Sequence, residues 1–332
     1  MRVLVAGGAG YIGSHTCKAL AEAGHLPIVY DNLHTGHEWA VKWGPLERGD
    51  LNDPAGLGAV MRRHRPEAVI DFAALAYVGD SMKEPTEYYR VNVGGTIALL
   101  EAMRAHDVGS IVFSSTCATY GVPQRMPIVE TMEQQPINAY GRSKRMAEEI
   151  LRDACAAHGV GAIALRYFNA AGADPDGQLG EEHDPEPHLI PLVLQTALGL
   201  RPSVAIFGTD YDTPDGTCVR DYVHVSDLAS AHVAALTACH PGQLAAYNLG
   251  TGHGASINEV VACARVVTGR PIVAEAAARR PGDPPFLVAD ASLARQSLAW
   301  SSPRSALDGV IETAWRWMTT HRTQAMAAPR PR

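Results

Sequence analysis

The run Gly7-Gly8-Ala9-Gly10-Tyr11-Ile12-Gly13 restricts the fold more than any other stretch of the chain. It follows a short β-rich run, Arg2-Val3-Leu4-Val5-Ala6, and leads into a helical pattern that reaches about Ala23. Gly7-x-x-Gly10-x-x-Gly13 and Gly8-x-Gly10-x-x-Gly13 both fit. Glycines at these positions let the backbone turn tightly and approach a pyrophosphate at a helix N-terminus. A second β-rich run, Leu26 to Tyr30, ends at Asp31, 18 residues beyond Gly13. A carboxylate there accepts from both hydroxyls of an adenosine ribose and repels a 2′-phosphate. The nucleotide expected is NAD, not NADP.

Beyond this unit, β-rich runs and helical patterns keep alternating, which predicts parallel βαβ units. Ala68 to Phe72, Ser110 to Phe113 and Gly161 to Tyr167 read as buried strands. A long helix is expected from about Pro85 to His106, with proline in its first turn. The expected class is α/β: a Rossmann-like, doubly wound parallel sheet over residues 1–168. After Asn169 the pattern breaks into shorter elements, among them a helix near Leu189 to Leu200 and a strand at Val204 to Phe207. Residues 169–321 are expected to form mainly a smaller α/β substrate domain, with 219–250 returning to the first sheet. The end of the chain, 322–332, is rich in Ala, Pro and Arg from Thr323 on and is expected to be disordered.

The run Asn138-Ala139-Tyr140-Gly141-Arg142-Ser143-Lys144 places a tyrosine and a lysine four apart. On a helix they share a face, phenol beside ammonium. A nearby cation stabilises the phenolate and brings tyrosine toward acid–base use. Tyr-x-x-x-Lys alone is weak, since eleven tyrosines and four lysines give roughly a one in eight chance match. Its setting adds weight: the chain has 24 arginines and only four lysines. Phe113-Ser114-Ser115-Thr116-Cys117 starts at the carboxyl end of a buried strand, the end that faces the ligand in open α/β sheets. A hydroxyl there, Thr116 by preference, can meet a substrate oxygen beside Tyr140. The bland alternative is that these hydroxyls cap backbone groups.

A net charge of −7 with charges of both signs interspersed gives no footprint for nucleic acid or an anionic membrane. No apolar run is long enough to span a bilayer. The six cysteines lie far apart with no C-x-x-C, as for reduced thiols in a cytoplasmic protein. The chain opens directly on a strand, so no signal segment is expected.

Glycine turn, strand-end hydroxyl and Tyr140-x-x-x-Lys144 together resemble the extended short-chain dehydrogenase/reductases. Asp31-Asn32-Leu33, Arg166-Tyr167-Phe168-Asn169, Val219-Arg220-Asp221-Tyr222-Val223-His224, Tyr247-Asn248-Leu249-Gly250 and Arg279-Arg280-Pro281-Gly282-Asp283 are similar to those of its members that epimerise UDP-sugars. The resemblance runs from Met1 to about His321. It implies an isomerase that inverts C4 of a UDP-hexose through a transient ketone, with Tyr140 as acid–base, Lys144 as its electrostatic partner and Thr116 beside them. It implies NAD bound by Gly7, Gly10, Tyr11, Ile12, Gly13, Asp31, Asn32, Asp50, Leu51, Phe72, Ala73, Asn92, Tyr140, Lys144 and Tyr167. It implies a UDP-sugar bound by Thr116, Asn169, His188, Leu189, Phe207, Arg220, Tyr222, Arg280, Asp283 and Leu287. Two arginines suit a diphosphate and a carboxylate suits a ribose diol. His188 stands where some members have Asn, and Ala76 where some have Lys. The resemblance also implies a homodimer packed through the helices near 85–106 and 138–158. Leu287 lies four residues after Asp283, at a position linked in this family to acceptance of 2-acetamido sugars when the residue is small.

A lyase on the same fold needs an acid just after the strand-end hydroxyl, where this chain has Cys117-Ala118. A sensor that merely binds NAD has no use for Tyr140, Lys144 and a diphosphate site together. His183, Asp184, Glu186 and His188 invite a metal reading, but no second cluster completes a shell, so no metal is expected.

Overall fold

The computed structural model describes residues 1–280 and 282–327, the last six of them as backbone alone. In the first half the strands are β1 (Arg2–Ala6), β2 (Leu26–Asp31), β3 (Leu46–Arg48), β4 (Ala68–Asp71), β5 (Ser110–Thr116) and β6 (Gly161–Tyr167). The second half adds β7 (Asn169–Ala171), β8 (Val204–Phe207), β9 (Val219–His224), β10 (Leu244–Leu249), β11 (Gly254–Ser256), β12 (Ala274–Ala277) and β13 (Phe286–Leu287). The helices up to residue 158 are α1 (Tyr11–Glu22), α2 (Pro54–His64), α3 (Val78–Ser81), α4 (Pro85–Tyr88), α5 (Gly94–Ala105) and α6 (Ala139–His158). They are followed by α7 (Leu189–Ala197), α8 (Val225–Ala238), α9 (Ile257–Thr268), α10 (Ser292–Leu298) and α11 (Leu307–Ala327).

Seven parallel strands form the main sheet in the order β10-β6-β5-β4-β1-β2-β3. The order reverses between β1 and β4, which opens a ligand crevice at their carboxyl ends. Alternation along β1 sends successive side chains to opposite faces. Val3 and Val5 pack with Leu20 of α1 and Leu228, Ala231 and Ala235 of α8. Leu4 and Ala6 pack with Leu57, Leu99, Met103 and Leu151 of α2, α5 and α6. Burial on both faces explains why these strands read as continuous apolar runs.

Local signals set the ends of the helices. Asp53 accepts from Gly56 N at the start of α2, with Pro54 as its first residue. Asn138 accepts from Gly141 N at the start of α6. Ser256 and Glu259 form a capping box on α9. Each such cap contributes about 1 kcal/mol.

The segment Pro85–His106 is not one regular helix. A π-helical turn, Tyr89–Val93, joins α4 to α5 and carries the buried Asn92. Such turns are frequent at functional sites. Residues 219–250 divide between two layers. β10 and α8 join the main sheet and its cover, but β9 does not: it pairs with β7, β11 and β13 in a separate sheet. All six residues of β9 are buried, the charged Arg220 and Asp221 among them, and pairing partners distant in sequence decide its sheet. α11 continues to Ala327, beyond the expected end near residue 321. The expectation of disorder for 328–332 lies outside the described residues.

Candidate active site

The glycine turn sits where β1 meets β4. A Cβ on Gly7 would lie 2.7 Å from Ala73 N, and Gly7 has φ +73°, a conformation costly for other residues. A Cβ on Gly13 would lie 2.2 Å from Gly7 O, so only glycine lets α1 approach the turn. α1 has Gly10 as its N-cap and no side-chain cap bond. Its first N–H groups, with the positive end of the helix dipole, suit a pyrophosphate. Asp31 is buried at the end of β2 and accepts from Ala9 N (2.9 Å) and Leu33 N (2.8 Å). Burial raises its pKa, offset in part by those bonds. An ionised carboxylate keeps acceptor sites beyond these two for a ribose diol. Asn32 Nδ2 donates to Asp50 at 2.9 Å, and Leu51 follows, buried. Phe72 and Ala73 continue β4 directly under the turn. These residues fit an NAD-type dinucleotide.

Asp71, not expected from the motifs, is buried at the end of β4, and burial lifts its carboxyl to about 6 against the opposing pull of Lys144. An acid closing an apolar strand beside the glycine turn, as Asp31 does on β2, was the available signal. Asn92 is engaged by protein on every hydrogen-bonding atom. Its Oδ1 accepts from Leu75 N (2.8 Å), and its Nδ2 donates to Leu75 O (3.0 Å) and Ser143 Oγ (2.9 Å). It therefore ties the loop after β4 to α6, and one lone pair of Oδ1 is left for a ligand.

β5 delivers three hydroxyls in a row with three different partners. Ser114 bonds the Tyr167 hydroxyl. Ser115 donates to Glu148 at 2.5 Å, inside a buried network in which Arg166 grips the same carboxylate and also donates to Tyr120. Thr116 caps the next turn through Ala118 N (3.1 Å), and its hydroxyl is near enough to the Tyr140 phenol to favour the ionised form. Gly141 is needed beside Tyr140, since a Cβ there would lie 2.5 Å from Ala118 O.

Tyr140 and Lys144 share a face of α6, yet the ammonium is not turned onto the phenol. Lys144 Nζ donates to Ser114 O at 2.7 Å and lies 4.6 Å from the centre of the Phe113 ring. Burial pushes its pKa down to about 8. The Tyr140 phenol is raised well above its ordinary value, first by burial and then by Tyr167. Burial thus outweighs the depression expected from Lys144, whose ammonium takes the strand carbonyl as its acceptor.

In the second half, Asn169 lies opposite Tyr222 where β7 pairs with β9. Both line a small cavity with Glu181, His188 and Leu189. Arg220, nearly buried, bonds Val219 O (2.8 Å) and pairs with Asp283. Arg280 lies over the Phe207 ring at 4.0 Å. Pro281 between them lies outside the described residues. Leu287 pairs in register with Arg220 and packs, partly buried, against the cluster of Cys117, Tyr120, Ile128, Phe168 and Ala289. Tyr11 joins the two halves by donating to Gly172 O at 2.6 Å. Lys18 does the same, paired with Asp174 at 2.7 Å.

Glu181, outside the run first considered, joins His183, Glu186 and His188 in one group of four donor atoms.

Residues 3–250 match the NAD dependent epimerase/dehydratase family. The UDP-glucose 4-epimerase of Rhizobium meliloti (strain 1021) is 51% identical over 316 residues, 95% of this chain and 96% of that protein. The crystal structure of UDP-glucose 4-epimerase from Brucella ovis in complex with NAD is 53% identical, with a TM-score of 0.91, covering 95% of this chain and 97% of that one. The UDP-glucose 4-epimerase from Bifidobacterium longum in complex with NAD+ and UDP is 39% identical, with a TM-score of 0.93, covering 97% and 99%. A glycine turn shaped for a dinucleotide, a strand-end threonine on a helical tyrosine, and this likeness over nearly the whole length agree: the chain belongs to the NAD dependent epimerase/dehydratase family.

Proposed function

We propose that the protein interconverts UDP-glucose and UDP-galactose by inverting C4 of the hexose, using NAD that it retains through the cycle. The observation that carries this reading is the docking of the Tyr140–Lys144 helix on the carboxyl end of β5, where Lys144 donates to Ser114 O beside Thr116, in the same crevice as the glycine turn. Relatives about 50% identical over nearly the whole chain bear the name UDP-glucose 4-epimerase, which supports the substrate.

Bound NAD supplies a hydride acceptor and then a hydride donor for C4. The chain supplies the rest. Tyr140 takes the proton of the 4-hydroxyl as the carbon is oxidised and returns it as the ketone is reduced. Thr116 hydrogen-bonds the same oxygen. Between the two half-reactions the 4-keto sugar turns about its diphosphate linkage and presents its other face. Lys144, held at the crevice by Ser114 O, carries the positive charge that favours the phenolate and can donate to the nicotinamide ribose. Asp31 takes the adenosine ribose hydroxyls, with Asn32, Asp50 and Leu51 around the adenine side. Arg220 and Arg280 hold the diphosphate, Asp283 the uridine ribose, and Asn169, Leu189, Phe207 and Tyr222 line the way in. Catalysis rests on orientation and proton transfer.

The chain acts as a homodimer through α5 and α6, a reading that exposed Ile97 and Met146 on those helices support. Among the described residues no helix is long and apolar enough to cross a membrane, and the six cysteines are free thiols. Free thiols support a reducing compartment such as the cytoplasm. Incubation with UDP-galactose and separation of the products tests the activity, and light scattering tests the dimer.

A further inference from the structure

The segment 181–188 brings two imidazoles and two carboxylates to one point. Donor atoms of Glu181, His183, Glu186 and His188 all lie within 4.8 Å of one another. His183 Nδ1 is 3.5 Å from Glu181 Oε1 and 3.4 Å from Glu186 Oε2. His188 Nδ1 is 3.2 Å from Glu186 Oε1 and 2.6 Å from Glu181 Oε1. Charge-assisted hydrogen bonds run to about 2.7–2.9 Å, so only the last pair has that length. The two His183 separations, 3.4 and 3.5 Å, match the edge of a tetrahedron of donors around zinc, about 3.3–3.5 Å for bonds of about 2.0–2.1 Å, whereas His188 bonds the other oxygen of Glu186.

Burial adds a second, independent argument. The Glu181 and Glu186 side chains are 7% and 5% exposed. His183 Nδ1 is shielded from solvent, aims into the cluster, and has no hydrogen-bond partner. Two adjacent buried carboxylates need positive charge, and a buried polar nitrogen needs a partner. One dication meets both needs. Tyr77 closes the near side, its ring edge-on to His183 at 5.9 Å and to His188 at 6.2 Å.

We propose that Glu181, His183, Glu186 and His188 bind one divalent transition-metal ion, zinc by preference, through two imidazole nitrogens and two carboxylate oxygens. Four protein donors make a closed shell, so the ion is structural and leaves no open position for chemistry. Binding opens the 2.6 Å His188–Glu181 contact by less than about 1 Å to reach the tetrahedral edge. The ion stiffens a loop that ends at His188, the N-cap residue of α7, beside Asn169, Leu189 and Tyr222 in the cavity. The approach to α7 is thereby fixed before substrate arrives.

The test uses the full chain made without a polyhistidine tag, stripped with a chelator, supplied with zinc and desalted. Elemental analysis of the wild type is expected to give about one zinc per chain, and the His183→Gln and Glu186→Gln variants less than about a tenth of that. Added zinc is expected to raise the melting temperature of the wild type only. Failure of the wild type to retain zinc overturns the proposal, and so does wild-type stoichiometry in His183→Gln, which would place the metal on other histidines. If the variants do not fold, cobalt(II) in the wild type decides alone. The intense visible bands of a tetrahedral site support the proposal; the weak bands of an octahedral surface ion overturn it.

Discussion

The ammonium of Lys144 donates to the carbonyl oxygen of Ser114 at 2.7 Å, two residues before Thr116 on β5. The lysine is thereby anchored to the strand whose end carries the hydroxyl facing Tyr140. Helix and strand are locked in register by a buried charge, and the price is a lysine pKa lowered to about 8.

Two pH effects follow. The folded pKa of Lys144 lies below its ordinary 10.5, so between about 8 and 10.5 the unfolded chain binds more protons at this residue. Its contribution to stability therefore rises with pH through that window, and below about 8 the full cost of the buried charge is present. Lys144→Met removes this term, and denaturant melts of both proteins from pH 7 to 10 should show it in their difference. Activity goes the other way. Loss of the ammonium's charge should lower kcat above about pH 8, and Lys144→Met should be slow at every pH, by about 10²–10⁴-fold.

Asp31 governs the choice of nucleotide. Denatured wild-type protein should release NAD and not NADP. Asp31→Asn keeps the shape and the turn but loses the charge that binds the ribose diol, so retained NAD should fall by about tenfold or more. Chromatography of the released nucleotide checks both outcomes.

How much of this was legible depended on the range of the interactions. The glycine turn and Asp31 are local patterns with one physical solution, and they stand out in the sequence. The parallel sheet was legible through β1, β2, β4, β5 and β6 because burial on both faces writes continuous apolar runs, whereas the edge strands β3 and β10, only partly buried, were not. Lys144 was legible as a helix neighbour of Tyr140 but not as a ligand of Ser114 O, because that contact depends on how α6 packs on β5. The sheet membership of β9 and the π-turn around Asn92 were hidden for the same reason. Glu181 was hidden because the gathering of 181–188 is set by a folded loop with no periodic signal.

Arg220 and Asp283 form one nearly buried pair. Arg220→Ala removes the proposed diphosphate ligand and leaves a carboxylate without its partner, a change that typically costs about 3–5 kcal/mol when the pair is buried. The exposure of Asp283, 27%, places the loss of stability below that range. KM for UDP-galactose should rise at least about tenfold, with a smaller change in kcat, since binding and not proton transfer is lost. Steady-state kinetics and a thermal melt separate the two effects.

Leu287 lies in register with Arg220 and against Cys117, the neighbour of Thr116. Its modest volume should let the protein turn over UDP-GlcNAc as well as UDP-glucose. Leu287→Tyr should lower kcat/KM for the N-acetylated pair by about tenfold more than for the plain pair. Equal losses on both pairs would assign Leu287 to packing alone.

The central claim is that Tyr140 moves the proton while NAD stays bound. Tyr140→Phe removes one oxygen and leaves the ring in place. The decisive measurement is kcat for conversion of UDP-galactose to UDP-glucose in this variant, with UDP affinity and retained NAD measured on the same sample. A fall of about 10²–10⁴-fold in kcat, with UDP affinity and NAD content unchanged, is the predicted result. Turnover near that of the wild type would contradict it.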